Sequence, residues 1–355
     1  PEHPIWIGGD EFLSVDEDFD NFNLANLAEL SGLKAVETGM FCNEYLETHC
    51  GNYIYPKSSQ SRVTVEEQVE IRSSVEPQGV LCKRHRLSQS AISYIKNDRR
   101  VPKGSIPSLI KLSYDFGLIL GYYLSEGSVS TTGNSTEFAL DEHKDTNFKD
   151  QLVNAVSNVF GLEAKIYIGQ KNVYRVCVNS RLFSTTMRHL CGSYSDKKLV
   201  LHDIMFSNED MLKGIIVGYW NGDGHIGKRH ADAHCVNQSM LSQLKLGLSY
   251  FGISSSLMCS GGNHNLKLSG SNFRSFLSTF YGDASEVATG SQKILNNGSK
   301  SIFPVKSRCN EPYSGYVFNL HVDEDESYSL INATVHNCFT RDSQGFFKRS
   351  LVESC

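Results

Sequence analysis

The stretch "DFGLILGYYLSEGSVS" at residues 115–130 decides the fold, because its pattern returns once, as "LKGIIVGYWNGDGHIG" at residues 212–227. In each copy an apolar run contains a glycine, Gly121 or Gly218, and after four more residues come an acid and a second glycine. The apolar runs predict helices. A glycine inside a helix costs about 1 kcal/mol relative to alanine, so we expect each one to let a neighbouring backbone come close.

The sequence after each copy also repeats. Residues 136–168 predict a strand, a turn, an amphipathic helix, a Phe-Gly end and a strand, and residues 231–259 predict the same order with the same Phe-Gly end. A unit of helices and strands that occurs twice indicates two pseudo-symmetric subdomains of an α+β fold.

Each predicted helix ends at an acid, Glu126 or Asp223. If the helices pack through their glycines, the two carboxylates meet at one end of the contact. Two carboxylates so near to each other repel unless they share a divalent cation. A site with only oxygen ligands suits Mg²⁺. Such an ion can polarise a phosphate and activate water for phosphodiester hydrolysis. Two core helices that end in capped acids are the alternative, and the repeat disfavours it.

The segments "ILGYYLSEG" (119–127) and "IVGYWNGDG" (216–224) resemble the two signature helices of the LAGLIDADG homing endonucleases found inside inteins. Lys198 matches the lysine of the family's lysine–proline segment, although Leu201 stands where proline is usual. The resemblance implies two αββαββα repeats in a monomeric nuclease that cuts long sites in double-stranded DNA. It also implies that Glu126 and Asp223 are catalytic ligands of Mg²⁺ and that Lys198 stabilises charge near them.

The segment "GYVFNLHVDEDESYSLINATVHNC" (315–338) resembles the carboxyl-terminal splicing motifs of an intein, part of an all-β Hint domain. Such a junction needs His336 to assist, Asn337 to cyclise and break the next peptide bond, and Cys338 to act as the nucleophile. Residues 338–355 would then begin the downstream extein. Two positions depart from the family pattern: Asn319 replaces an Asp and Glu326 replaces a His, with His321 the nearest substitute.

The opening "PEHPIWIG" (1–8) resembles the intein motif whose histidine, here His3, polarises the upstream splice bond. The Thr that precedes this motif and the initiating Cys or Ser are not in the sequence. We therefore expect the amino-terminal half of the intein to be a separate partner, together with the host exteins.

Residues 66–102 predict a helix, a turn near Leu87-Ser88 and a second helix from Gln89 to about Asn97, which resembles a helix-turn-helix module. Ser88 is the expected N-cap, and Ile92 and Ile95 are expected to face inward. The candidate DNA contacts are Gln89, Ser90 and Ser93 on the outer face, the basic residues Lys83, Arg84, Arg86, Arg99, Arg100 and Lys103, and the pair Lys228 and Arg229. A helical hairpin with a solvated basic face stays open as an alternative.

Composition limits the function classes. A net charge of −5 argues against a globally basic nucleic-acid coat, and the ten scattered cysteines favour neither a zinc site nor a disulfide framework. We expect a cytoplasmic protein with no membrane partner.

The expected segments are a Hint remnant at 1–20, an unassigned linker or insertion at 21–60, a helix-turn-helix segment at 61–108, LAGLIDADG repeats at 109–195 and 196–300, Hint motifs at 311–337 and an extein at 338–355. The function expected is an intein-encoded endonuclease with residual splicing chemistry. The alternatives are a DNA-binding element that has lost cutting, or an intein that only splices.

Overall fold

The chain has a mixed α+β architecture of helices and small antiparallel sheets. The computed structural model describes residues 5–8, 11–13, 20–42, 45–47, 53–56, 63–96, 104–141, 146–168, 173–282, 294–297, 299–312, 327–330, 333–336 and 348–354. The chain divides into two compact units, residues 31–222 and residues 1–30 with 223–355. In the described ranges, every helix is too short or too polar to cross a membrane.

The amino-terminal segment contributes three strands to the second of these units: β1 (Ile5–Gly8), β2 (Glu11–Leu13) and β3 (Asn21–Ala25). β1 pairs antiparallel with β2. β1 and β3 also pair with strands from the carboxyl-terminal part of the chain.

The unit of residues 31–222 contains short strands, of which the sequence left those before residue 61 unassigned. They are β4 (Ala35–Glu37), followed by a 3₁₀ turn (Thr38–Met40), β5 (Tyr45–Glu47), β6 (Tyr53–Pro56), β7 (Ile106–Pro107) and β8 (Leu109–Lys111). β4 pairs with β8, and β5, β6 and β7 form a second sheet. The buried Thr38 hydroxyl donates to the Pro107 carbonyl at 2.7 Å. The strands β4, β5 and β6 are therefore tied to the residues just before the helix that begins at Tyr114.

A module of three helices lies between β6 and β7: α1 (Val65–Ser73), α2 (Gln78–His85) and α3 (Gln89–Lys96). The prediction of one helix before the turn was wrong. The chain leaves the helix at Ser74, which is extended, and α2 begins just after Pro77. The ring of a proline disfavours helical backbone at the residue before it, which separates α1 from α2.

The predicted turn and cap of this module are confirmed. Arg86 adopts the left-handed conformation with φ of 52°, and the Ser88 hydroxyl accepts from the Ala91 N–H at 3.2 Å. Ile92 and Ile95 face inward as predicted, in a small core with Ile71 and Leu81. The three helices therefore pack around a core of their own.

The two repeats have the element order that the sequence predicted. The first consists of α4 (Tyr114–Ser125), β9 (Gly127–Val129), β10 (Thr136–Asp141), α5 (Thr146–Phe160), β11 (Ala164–Ile168), β12 (Val173–Val178) and α6 (Arg181–Cys191). After α7 (His202–Met205), the second consists of α8 (Glu209–Asp223), β13 (Gly224–Ile226), β14 (His230–Cys235), α9 (Gln238–Tyr250), β15 (Ser256–Ser260), β16 (Asn263–Ser269) and α10 (Gly270–Tyr281).

Sheet topology shows the same internal repeat. The strand orders are β9-β10-β12-β11 and β13-β14-β16-β15, so corresponding strands occupy corresponding places. The Phe-Gly pairs after α5 and α9 end those helices with glycines at positive φ, Gly161 at 64° and Gly252 at 67°. The αββαββα repeat is therefore present twice.

The carboxyl-terminal strands are β17 (Leu295–Asn297), β18 (Lys300–Pro312), β19 (Ser327–Ser329), β20 (Thr334–His336) and β21 (Lys348–Ser354). One sheet has the order β19-β20-β1-β2, with Val335 opposite Ile5, and in another β18 pairs with β3, β17 and β21. Leu24, Ile294, Phe303 and Val335 form a buried cluster beneath these strands. The two ends of the chain thus share sheets and a small core.

Lys245 of α9 is an unusual member of this unit, because its side chain is buried with the ammonium 4.9 Å from the centre of the Phe303 ring. Burial lowers the pKa of this lysine to about 8. In the unfolded chain a lysine keeps its proton up to about pH 10.4. Between these values the unfolded state binds more protons than the folded state, so stability attributable to Lys245 rises with pH.

Replacing Lys245 with methionine removes the charge and keeps the length of the side chain. We expect Lys245→Met to be more stable than the wild type at pH 7, by on the order of 3 kcal/mol. The difference should shrink as the pH rises from about 8 to about 10.5. Urea unfolding of both proteins across this range measures it, and a difference that does not change with pH would contradict the assignment.

Candidate active site

Helices α4 and α8 touch through their backbones. A Cβ placed on Gly121 would lie 2.7 Å from the Tyr219 nitrogen and 2.8 Å from the Gly218 Cα, and closer still to the Ile215 carbonyl. A Cβ on Gly218 would in turn overlap the Leu118 carbonyl. The prediction that Gly121 and Gly218 serve close approach is confirmed. We call this helix contact the glycine seam.

Three further glycines of the seam were missed from the sequence: Gly117 on α4, and Gly214 and Gly222 on α8. Each would place a Cβ against the backbone or the base of a side chain of the other helix. They stand four residues from Gly121 or Gly218, and positions four apart lie on one helix face. That spacing is the signal that could have identified them.

Large aromatic side chains surround the seam. Tyr122, Tyr123, Tyr219 and Trp220 are all at most 2% exposed. The Asn221 amide donates to the Tyr122 hydroxyl at 3.2 Å, a buried hydrogen bond that joins the two helices. The seam therefore lies in an apolar core. Polar side chains can reach solvent only at the ends of the seam.

Glu126 caps the carboxyl end of α4. Its N–H donates to the Tyr122 carbonyl at 2.8 Å, and its own carbonyl accepts from the Ala139 N–H at 3.3 Å. A Cβ on Gly222 would lie 3.0 Å from the Glu126 Cγ, so this side chain borders α8. Asp223 follows Gly222 directly as the last residue of α8 and is exposed. The seam runs in parallel register, and each of its helices delivers an acid at its carboxyl end.

Gly127 starts β9 immediately after Glu126. Its φ is not in the left-handed region, but a Cβ there would lie 2.6 Å from the Tyr123 Cα and 2.8 Å from the Tyr123 carbonyl oxygen. The prediction that Gly127 lets the chain turn is confirmed, and the reason is close backbone contact rather than a left-handed φ. The strand returns so tightly over the helix end that only hydrogen fits.

Lys198 lies at the same end of α4. It is 4% exposed, and its ammonium donates to the carbonyls of Gly127 at 2.6 Å, Tyr123 at 2.7 Å and Leu124 at 3.3 Å. Its nitrogen is also 4.9 Å from the centre of the Tyr123 ring. A positive charge is thus buried beside the turn that carries Glu126. Burial also raises the pKa of the neighbouring Cys191 thiol to about 12, so this cysteine stays protonated.

The candidate DNA contacts of the helical module differ in how they are placed. Lys83, Arg86, Gln89 and Ser90 are exposed, whereas Ser93 is half-buried. The Arg84 guanidinium pairs with Glu70 at 3.3 Å and Glu76 at 2.6 Å, which raises its pKa. Arg84 is therefore occupied by acids of its own module.

The other basic candidates lie in two further places in the sequence. Lys228 and Arg229 are exposed at the turn between β13 and β14. Arg99, Arg100 and Lys103 lie outside the described residues. A DNA-binding role for all of these residues stays a prediction.

The splicing residues fall mostly outside the part of the chain that is described. This holds for His3, Asn319, His321, Glu326, Asn337 and Cys338, and for the side chain of His336. The backbone nearby is informative, because β1 begins two residues after His3 and pairs with β20, which ends at His336. The pairing joins the strand after the His3 motif to the strand that leads to the His336–Cys338 junction.

The two seam acids suit a hard cation such as Mg²⁺, which prefers oxygen ligands and keeps several waters. Within the described ranges, no group of three or more His, Cys, Asp and Glu side chains could hold a metal ion.

No family model matches the chain. Curated relatives match parts of it. The DNA-directed RNA polymerase subunit Rpo1C of Methanocaldococcus jannaschii is 30% identical over 140 residues, 37% of this chain and 15% of the relative. An iron–sulfur cluster assembly SufBD family protein of Mycobacterium tuberculosis is 23% identical over 240 residues, 66% of this chain and 28% of the relative. A DNA polymerase of Thermococcus litoralis is 30% identical over 151 residues, 41% of this chain and 9% of the relative. The chain therefore spans less than a third of each relative's length.

Solved structures with a similar arrangement include the homing endonuclease I-DmoI in complex with DNA and Mn. Its TM-score is 0.40 at 13% identity, over 48% of this chain and 98% of that one. Full-length DUF199/WhiA from Thermatoga maritima has a TM-score of 0.38 at 14% identity, over 51% of this chain and 57% of that one.

The seam predicts an unusual response to alanine. In an open helix, glycine to alanine stabilises by up to about 1 kcal/mol. Gly121→Ala should instead destabilise by about 1–3 kcal/mol, because its methyl group meets the backbone of α8. Gly79→Ala in α2 is the matched control, because nothing lies within 4 Å of a Cβ there, and it should be neutral or stabilising. Urea unfolding compares them, and a stabilised Gly121→Ala would contradict the seam.

Proposed function

We propose that this chain is part of an intein and contains a LAGLIDADG-type homing endonuclease that makes Mg²⁺-dependent double-strand breaks in DNA. The observation that carries the proposal is the glycine seam, in which two copies of one sequence pattern pack in parallel register and each is followed by an acid. The parallel register supports a shared role for Glu126 and Asp223. Helices that merely fill a core would not need an acid at the same place in both copies.

Glu126 and Asp223 would hold the metal. A bound Mg²⁺ polarises a phosphate and lowers the pKa of a coordinated water. The protein's own contribution is rigidity. The backbone of Glu126 is hydrogen-bonded on both sides, and the seam cannot separate or close further without breaking helix packing. Two carboxylates held this way would need little rearrangement when the ion and the phosphate arrive.

The sheet of the second repeat supports a nucleic-acid substrate. On β14, Ala231 and Ala233 are buried, and the alternate residues His230, Asp232 and His234 project from the opposite face. The buried Asp232 carboxylate lies 3.0 Å from the His230 Nε2 and 3.4 Å from the His234 Nε2, so the three side chains make a polar row along the strand. Donors and acceptors ordered in this way are suited to reading base edges in a major groove.

The relatives support the intein part of the proposal. By their names they are an RNA polymerase subunit, an iron–sulfur cluster assembly protein and a DNA polymerase, which share no obvious task. Each matches this chain over only a minority of its own length. That pattern is expected when a mobile segment has been inserted into unrelated hosts.

The carboxyl junction is proposed to retain splicing chemistry. Asn337 would cyclise and cut the bond to Cys338 with help from His336, and His3 would serve the upstream splice bond. The pairing of β1 with β20 supports this, because it joins the strand after one motif to the strand before the other. Residues 338–355 would be the start of the downstream extein.

The three-helix module is proposed as an accessory DNA-binding element. Its exposed Lys83, Arg86, Gln89 and Ser90 surround the start of α3, the end that a recognition helix presents to bases. Arg99 and Arg100 follow the same helix in sequence.

Cutting is expected to depend on both acids. Wild-type protein and Mg²⁺ should linearise a plasmid carrying the host gene without the insertion. Asp223→Asn and Glu126→Gln should lose cutting by a factor of at least about 100, because a metal ligand is removed. Both should still shift the same DNA in a gel. Asp210→Asn, an exposed acid at the other end of α8, is the control and should cut normally.

Two results of this assay would count against the proposal. A fully active Asp223→Asn would exclude the site assignment. An inactive wild type that still shifts the DNA would favour a binding element that has lost cutting.

Release of residues 338–355 tests the splicing chemistry separately. Mass spectrometry of the incubated chain should show slow loss of this peptide, and Asn337→Ala should abolish it because cyclisation needs the side-chain amide. Asn332→Ala, five residues earlier, is the control. Release from Asn337→Ala would rule out cyclisation at this position, and intact wild type would indicate that the departures at Asn319 and Glu326 have cost the activity.

A further inference from the structure

The buried ammonium of Lys198 closes the carboxyl end of a helix. The last carbonyls of a helix have no N–H partner within the helix and must find one elsewhere. At the end of α4 the carbonyls of Tyr123 and Leu124 accept from Lys198, at 2.7 and 3.3 Å, and the Tyr123 carbonyl also accepts from the Glu126 N–H. The third acceptor is the carbonyl of Gly127, at 2.6 Å, in the strand that leaves the helix. One ammonium thus holds together the two sides of a single turn.

Glu126 lies inside that turn. The acceptors Tyr123 and Leu124 precede it in sequence, and the acceptor Gly127 follows it directly. The turn cannot unwind or tilt without stretching at least one of these hydrogen bonds. The direction in which the Glu126 carboxylate leaves the backbone therefore depends on Lys198.

The segment that carries Lys198 is itself fixed. The N–H groups of Leu199 and Leu201 donate to the carbonyls of Cys191 and Leu190, both at 3.0 Å, which ties the segment to the end of α6. The Tyr123 hydroxyl donates to the Gly192 carbonyl at 2.8 Å and joins the same layers. The backbone around Lys198 is therefore fixed to the end of α6, while its ammonium caps α4.

The geometry differs from that of a cation that contacts substrate. An ammonium has three N–H donors, and three backbone carbonyls lie within 3.3 Å of this one. Its side chain is only 4% exposed. A phosphate could recruit this group only by taking it from the carbonyls that it caps.

We propose that Lys198 is a positioning residue, which caps α4 and sets the orientation of Glu126 for metal binding. The proposal rests on the proposed metal site, and it replaces the expectation that Lys198 stabilises charge on the substrate. It follows that Lys198 orients Glu126 already in the protein without DNA.

A charge-stabilising role and a positioning role for Lys198 predict opposite changes in Mn²⁺ affinity when the residue is replaced. A positive charge near two carboxylates repels a cation, so removal of that charge alone should strengthen Mn²⁺ binding. Loss of the cap should weaken it, because residues that orient metal ligands typically contribute about 10- to 100-fold in affinity. We expect Lys198→Met to bind Mn²⁺ at least about tenfold more weakly than the wild type, measured by electron paramagnetic resonance titration without DNA.

Two further variants sharpen the test. Lys198→Arg keeps the charge, but its planar fork cannot place three donors as an ammonium does, so it should also bind Mn²⁺ weakly. Lys197→Met removes an exposed neighbouring charge and should leave binding unchanged. Hydrogen exchange at the Glu126 amide should accelerate in both Lys198 variants. Circular dichroism verifies that each variant is folded, and Lys198→Arg keeps the test decisive if Lys198→Met does not fold.

The outcomes are distinguishable. Weak Mn²⁺ binding with faster exchange at Glu126 in a folded variant supports the proposal. Unchanged or tighter Mn²⁺ binding with unchanged exchange in Lys198→Met, or full Mn²⁺ affinity in Lys198→Arg, overturns it. If Glu126→Gln and Asp223→Asn bind Mn²⁺ like the wild type, the proposed metal site is wrong, and unchanged exchange in the Lys198 variants would then reject the cap as well.

Discussion

Backbone contact between α4 and α8 organises this molecule. Glycine on both sides brings the helices closer than side chains would permit, and the overlap of a Cβ at Gly121 or Gly218 with facing backbone shows how little freedom is left. A contact this tight fixes the rotation of each helix as well as its register. The same register fixes the positions of the two acids at the helix ends. Each helix leads directly into the first strand of its own sheet.

Two buried lysines show how differently the same residue type can be used. Lys198 donates to three backbone carbonyls, which join the end of α4 to the start of β9. Lys245 lies against an aromatic ring, and burial alone lowers its pKa. The ammonium of the first lies at the carboxyl end of a helix, where the helix dipole favours a cation. The second contributes less stability at neutral pH than at high pH, because its lowered pKa disfavours the charged form in the folded state.

The local features of this fold could be predicted from the sequence. The repeat, the Phe-Gly helix ends, the Ser88 cap and the role of Gly121 all follow from spacing and residue type. Features in which distant segments meet or in which the partner is backbone could not be predicted. Nothing in residues 35–56 indicates that they pair with 106–111, and a carbonyl acceptor leaves no mark in sequence, so the contacts of Lys198 were invisible. The break at Pro77 was readable and was overlooked.

The central claim is that the seam delivers Glu126 and Asp223 to one divalent cation. The most direct measurement is a crystal structure of the protein soaked in Mn²⁺, with anomalous difference maps collected at the manganese edge. The account predicts a peak at the carboxyl ends of α4 and α8, coordinated by both carboxylates and lost in Asp223→Asn crystals. A peak bound by other residues, or none at this place when the seam is intact, would contradict it.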